Sequence, residues 1–157
     1  VGVTSSRNVE AVKALGLYDD VVLYEDIEIG VAQKASVIVD MSGSGEVLGR
    51  LHKLLGDNMR FTSNVGVTHY SEAGMGPDFI KDRSAMFFAP GHIQKRSKDW
   101  GPGEFDRKAA EFWHDATVKS RDWLKINRQS GIDAIGEAYM DVLAGKTAAD
   151  SAWVVGF

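Results

Sequence analysis

The chain has 157 residues, 44% of them hydrophobic, 25% charged and 10% aromatic, which fits one globular domain and excludes a disordered or fibrous segment. Eighteen Lys and Arg against 22 Asp and Glu leave a net charge of −4, so the basic footprint of a nucleic-acid or anionic-membrane binder is missing. Without a cysteine there are no disulfides, thiolate metal ligands or cysteine nucleophiles.

In chain order, Val1–Thr4 reads as a strand. Asn8–Leu15 reads as a helix with Val9, Val12 and Leu15 on one face, Ser5 or Ser6 as its N-cap and Gly16 as its stop. Val21–Tyr24 is the next strand, and the acidic segment near Asp26 opens a second short helix. Ala35–Asp40 is apolar without alternation, the pattern of a strand buried on both faces. After a turn at Gly43–Gly45, Glu46–Leu55 carries Val47, Leu48, Leu51, Leu54 and Leu55 at helical spacing. Arg60–Val65 and Ser84–Ala89 are further strands. The loop between them, Gly66–Arg83, is long enough to suggest a functional segment.

Beyond Pro90, Gly91–Trp100 predicts a short helix that ends at Gly101-Pro102-Gly103. Glu104–Ile126 predicts a long helix whose stripe of Phe105, Phe112, Trp113 and Trp123 faces a core. Ile132–Leu143 is another helix, and Trp153–Val155 a last short strand. Strands alternating with helices imply α/β architecture: a parallel sheet with helices on both faces, followed by C-terminal helices. The expected division is 1–90 as a partial dinucleotide-binding domain and 91–157 as a helical part packing on it.

The most informative stretch is Val1-Gly2-Val3-Thr4-Ser5-Ser6-Arg7-Asn8. In a dinucleotide-binding sheet the residues after the second strand meet the adenosine ribose. A carboxylate there selects NAD, and small hydroxyls with an Arg accommodate the 2′-phosphate of NADP. Thr4, Ser5, Ser6 and Arg7 are of the second kind, beside a helix start that adds amide donors. A serine cap followed by a solvent-exposed arginine is the plainer alternative.

The run VGVTSSRNVEAVKALGLYDDVVLYEDI resembles the second βαβ step of the medium-chain dehydrogenase/reductase superfamily, in its zinc-independent, quinone-reductase-like branch. VIVDMSGS, RFTSNVGVTHY, AMFFAP and KRSKDWGP look more narrowly like a family of unknown function within it. The resemblance implies a Rossmann-like fold and NADP as cofactor. Ser5, Ser6 and Arg7 would take the 2′-phosphate, with Thr4 beside them and Tyr24 against the adenine or its ribose. Met41, Ser42 and Gly43 would border the ribose. Val65, Gly66, Val67 and Thr68 would lie beside the nicotinamide, and Phe88 and Ala89 would flank it. For Met41, Val65 and Phe88, plain core packing is the alternative. The Gly-x-Gly-x-x-Gly fingerprint of that superfamily is absent, so the expectation is a chain that lacks its first, central strand, the glycine turn and a preceding substrate domain.

His52, His69, His92 and His114 have no metal-ligand spacing, and no metal site is expected. His52 and His114 read as solvated helix positions. His69 and Tyr70, on the loop expected to face the nicotinamide, are candidate proton donors, with an ordinary loop His and Tyr as the alternative. Gly145-Lys146-Thr147 is not a P-loop, since position 140 is Met and a helix precedes it. Lys95, Arg96 and Lys98 read as cations at a helix C-terminus.

These readings converge on an NADP(H)-dependent oxidoreductase acting on a carbonyl, enone or quinone-like small molecule. The alternatives are a non-catalytic NADP(H) sensor and a structural remnant with a blocked pocket. A homodimer through the Ser84–Ala89 edge strand is expected, with no nucleic-acid or membrane partner. No apolar run nears the ~18 residues that cross a bilayer, and the opening residues lack a signal-peptide pattern. A cytoplasmic location is expected.

Overall fold

Two parallel sheets carry the first of the chain's two units, Val1–Pro102; the second unit is Gly103–Phe157. The computed structural model describes residues 1–67 and 74–156. The architecture is α/β with parallel strands flanked by helices, as expected.

In the first sheet, β1 (Gly2–Thr4) pairs in parallel with β2 (Val21–Leu23), from Gly2↔Val21 to Thr4↔Leu23. The crossover is α1 (Val9–Ala14). Neither Ser5 nor Ser6 caps this helix; Asn8 is the cap residue and no side chain closes the end. The Ser5 main-chain carbonyl instead accepts from Asn8 N at 3.0 Å, so a backbone turn delays the helix start. Gly16, at φ +63°, ends the helix as expected. Strand β2 stops at Leu23, and Tyr24 opens a 3-10 turn that leads into α2 (Ile27–Gly30).

The second sheet has the order β3 (Ser36–Asp40), β4 (Met59–Asn64), β5 (Ser84–Met86), all parallel. Between β3 and β4 runs α3 (Gly45–Leu55). Ser44 caps α3, its Oγ accepting from Val47 N at 3.4 Å. Leu48, Leu51, His52 and Leu55 face inward at helical spacing. With Val22, Ile27 and Met59 they make the core, and full burial of each large apolar side chain contributes about 1.5–3 kcal/mol.

Strand β3 is not buried on both faces. Val37 and Val39 are 62% and 61% exposed, whereas Asp40 is buried. Helix α3 covers the face that carries Thr62, and the face of Val37, Val39 and Phe61 is open. An apolar run thus reads the same whether one face or both are covered. The two sheets are tied by side chains. Arg50 of α3 donates from Nε to Glu28 Oε1 at 2.7 Å and from Nη2 to Oε2 at 2.5 Å. The paired guanidinium holds the Glu28 carboxyl down to about 2.

Strand β5 ends at Met86 rather than Ala89, and α4 (Ala89–Trp100) begins two residues earlier than its hydrophobic pattern suggests. Pro90 explains the shift, because proline is preset for the first helical turn. In the last turns Lys95 pairs with Asp99 at 2.6 Å, and the Arg96 guanidinium lies 5.3 Å from the Trp100 ring centre.

In the second unit α5 (Glu104–Ser120) ends six residues before the expected Ile126. A strand, β6 (Lys125–Ser130), follows it; α6 (Ile132–Leu143) then crosses to β7 (Ser151–Gly156), which pairs with β6 in parallel. Pairing along all six residues of β7 overrides whatever helical tendency Lys125 and Ile126 have. The aromatic stripe of α5 does not face a core: Phe112 and Trp113 are 72% and 74% exposed, and no α5 residue is buried.

His52, expected to be solvated, is fully buried. Ile80 N–H donates to Nδ1 at 2.8 Å, which leaves Nε2 to carry the proton toward Thr62 Oγ1, also at 2.8 Å. The imidazole stacks on Phe79 at 4.8 Å. A neutral ring thus joins α3, β4 and the segment before β5. Burial, and then the nearby Arg83 guanidinium, hold its pKa below the ordinary histidine value. Since the folded state disfavours the proton, stability is full above the unfolded pKa of about 6.5 and falls as pH drops below it. His52→Leu is expected to cost about 2 kcal/mol by stranding the Ile80 and Thr62 groups. It should also flatten the decline in stability between neutral and mildly acidic pH, as read by urea titration at a series of pH values.

Candidate functional site

The carboxyl ends of β3, β4 and β5 are brought level by the register Asp40↔Asn64 and Asn64↔Met86. In open α/β sheets this rim is where ligands bind. Asp40 organises it. Its Oδ1 accepts from Ser42 N at 3.0 Å and Ser42 Oγ at 2.8 Å, and its Oδ2 from Gly43 N at 3.0 Å. The sequence forms such a turn because an aspartate can fold its carboxylate back on amides two and three residues on, here those of the small residues Ser42 and Gly43. The Asp40 main-chain carbonyl accepts from Val65 N at 2.8 Å and Gly66 N at 3.2 Å. One buried residue therefore fixes the loops that follow two neighbouring strands.

Glycine is required where those loops touch. A Cβ on Gly66 would stand 2.7 Å from Met41 O, and one on Gly43, whose φ is +70°, would stand 2.9 Å from Val67 Cα. Gly74 lies against the first turn of α3, where a Cβ on Gly45 would stand 2.8 Å from Gly74 O. On the other side, Phe87 N donates to Asn64 O at 2.8 Å, and the Phe87 ring centre lies 5.2 Å from that of His92.

Met41, Ser42 and Gly43 are thus brought together with Val65, Gly66 and Val67. Thr4, Ser5, Ser6 and Arg7 occupy the carboxyl end of β1 and the turn after it, in the other sheet, with Ser6 and Arg7 exposed. Tyr24 follows β2 directly. Phe88 immediately precedes α4, which Ala89 opens. Met41, Val65 and Phe88 are 58%, 39% and 69% exposed, which excludes plain core packing for all three. Thr68, His69 and Tyr70 lie outside the described residues.

Sequence reasoning missed three features of this rim. Asp40 was visible as the polar end of an apolar run before Ser-Gly-Ser, though not as the residue tying two loops. His92 gave no signal, because its place beside Phe87 depends on where β5 ends. Asn64 Oδ1 is sealed from solvent and accepts no hydrogen bond, which no sequence pattern reveals.

Among the described residues no three His, Asp or Glu side chains are grouped to hold a metal ion. None of the helices searched is long and apolar enough to cross a membrane. Two shallow surface hollows lie elsewhere, one along Ile132, Gly136 and Met140 of α6 and one between α1, β2 and α2.

Fold and rim together define an α/β protein whose polar loops gather at the carboxyl ends of parallel strands. Residues 1–148 match the family described as protein of unknown function (DUF2855), and the chain belongs to that family. No curated protein and no solved structure matches it.

Asp40→Ala should destabilise the first unit by about 1–3 kcal/mol, because the Ser42 and Gly43 amides lose their acceptor. Gly66→Ala should also destabilise it, since the methyl meets a main-chain oxygen. Denaturant unfolding measures both losses; unchanged midpoints would contradict the role given to Asp40.

Proposed function

We propose that this chain forms the cofactor-binding part of an NADP(H)-dependent oxidoreductase of the zinc-independent medium-chain type. The reading rests above all on strand order. The parallel sets β2-β1 and β3-β4-β5 follow the doubly wound order 3-2-1-4-5-6 with its central strand left out. In that order each predicted contact residue on the described chain falls at or just past a carboxyl end.

The residues present fit a dinucleotide phosphate. Ser5, Ser6 and Arg7, after β1, would hold the 2′-phosphate through hydroxyls and a charge-assisted guanidinium contact. Tyr24, next to the end of β2, would lie against the adenosine. Met41, Ser42 and Gly43 would border the ribose, with Val65, Gly66, Val67, Phe88 and Ala89 around the nicotinamide. The cofactor supplies hydride transfer to or from a carbonyl, enone or quinone-like carbon; the chain supplies orientation and a fixed polar surround. A cytoplasmic location is part of the same proposal.

Two measurements test the reading. Titration of the full protein should give tighter binding of NADPH than of NADH. Arg7→Ala should weaken NADPH by about tenfold to a hundredfold, the equivalent of one charge-assisted contact, and leave NADH unchanged. Binding of neither nucleotide by the unsubstituted protein defeats the proposal. The edge strand β5, with Ala85 and Met86 exposed, is assigned to pairing with a second copy. Sedimentation at micromolar concentration should then report a dimer, and a monomer would remove that assignment.

A further inference from the structure

Among the described residues, Asn64 Oδ1 is the buried side-chain polar atom left without a hydrogen-bond partner. A buried acceptor left unpaired is destabilising, and native folds keep few of them. The neighbouring groups are engaged. Asn64 O accepts from Phe87 N, Asp40 O takes Val65 N and Gly66 N, and the Asp40 carboxylate takes Ser42 and Gly43. Asn64 is the last residue of β4, the middle strand of its sheet, flanked by Asp40 and Met86 in register. By strand alternation its side chain shares the face of Thr62, the side covered by α3.

From this we infer that Asn64 Oδ1 is a ligand-recognition acceptor, and that its partner is the amide N–H of the nicotinamide carboxamide. The inference rests on the dinucleotide reading above. A carbonyl oxygen accepts and cannot donate, so phosphate and carboxylate groups, which only accept, are repelled from it. The ligand part at β4 must therefore present N–H or O–H. In a dinucleotide laid with its adenosine at β1 and β2, the donors left for β4 are the carboxamide and the hydroxyls of the nearby ribose. The carboxamide is planar and carries two N–H donors, which suits an acceptor hemmed between two strand ends. Because the oxygen is sealed in this structure, the assignment requires the Asn64 side chain to turn about its own bonds to meet the donor. Staggered side-chain wells make such a turn inexpensive, and the new hydrogen bond would offset it.

Titration calorimetry on the full protein tests the assignment with three ligands: NADP⁺, its 3-acetylpyridine analogue, and adenosine 2′,5′-bisphosphate. The analogue keeps the ring carbonyl and replaces the amide nitrogen with a methyl group. The unsubstituted protein should bind NADP⁺ about tenfold more tightly than the analogue. In Asn64→Ala that preference should vanish, while affinity for adenosine 2′,5′-bisphosphate stays the same. Thermal stability of Asn64→Ala should hold or rise, because an unpaired carbonyl has been removed; a purely structural Asn64 would lower it. Asn64→Asp keeps an acceptor and should retain the preference. If the unsubstituted protein binds NADP⁺ and the bisphosphate but ranks NADP⁺ and the analogue equally, the carboxamide is not the partner. The same conclusion follows if Asn64→Ala keeps the preference. Failure to bind either NADP⁺ or the bisphosphate instead overturns the dinucleotide reading beneath it.

Discussion

A single buried carboxylate holds the strand-tip rim in shape. Asp40 has its side chain wrapped by the turn that follows its own strand and its main-chain oxygen shared by two amides of the neighbouring strand's loop. Burying a carboxylate is costly unless donors surround it, and here main-chain amides and one hydroxyl do so. The two loops are therefore set by one residue, and their spacing does not depend on long side chains. Close glycine contacts at Gly43 and Gly66 then bring the loops together, because the arrangement leaves no room for a Cβ.

A second tie works on the covered face of the same sheet. His52 accepts from one segment and donates to another while its ring packs on Phe79, so one neutral side chain satisfies polar groups from three stretches of chain. The strand-tip loops and the interior beneath them are thus stabilised by polar contacts with strict geometry rather than by apolar volume alone. A short strand such as β5, with three residues, keeps its place because Arg83 just before it donates to Met59 O at 2.7 Å.

The legible parts of the fold were those where periodicity and capping agree. Helix α3 shows apolar residues at helical spacing behind a Ser-Gly start, and α6 spans the residues its pattern marks. Strands β1, β2 and β3 announce themselves through β-branched runs. What the sequence hid has physical causes. Strand β6 holds one large apolar residue, Ile126, so neither a two-residue nor a helical period stands out, and its pairing with β7 is set by tertiary contact. An apolar run such as Val37-Ile38-Val39 does not reveal how many faces are covered. His52 looked solvated because a lone histidine on a helix carries no mark of the partners that bury it. At the site, residue type pointed to strand ends, since hydroxyls, glycines and an arginine cluster there. The unpaired state of Asn64 belongs to three-dimensional arrangement only.

Between β1 and β3 no main-chain ladder runs among the described residues. The seam between those sheets is crossed instead by α2 lying against α3, with Arg50 gripping Glu28. Ladders are insensitive to dissolved salt, whereas an exposed ion pair is screened by it. The ion pair at this seam therefore weakens as salt rises, and acid strong enough to neutralise Glu28 removes it, leaving buried Val22 and Ile27 against the α3 leucines to hold the joint.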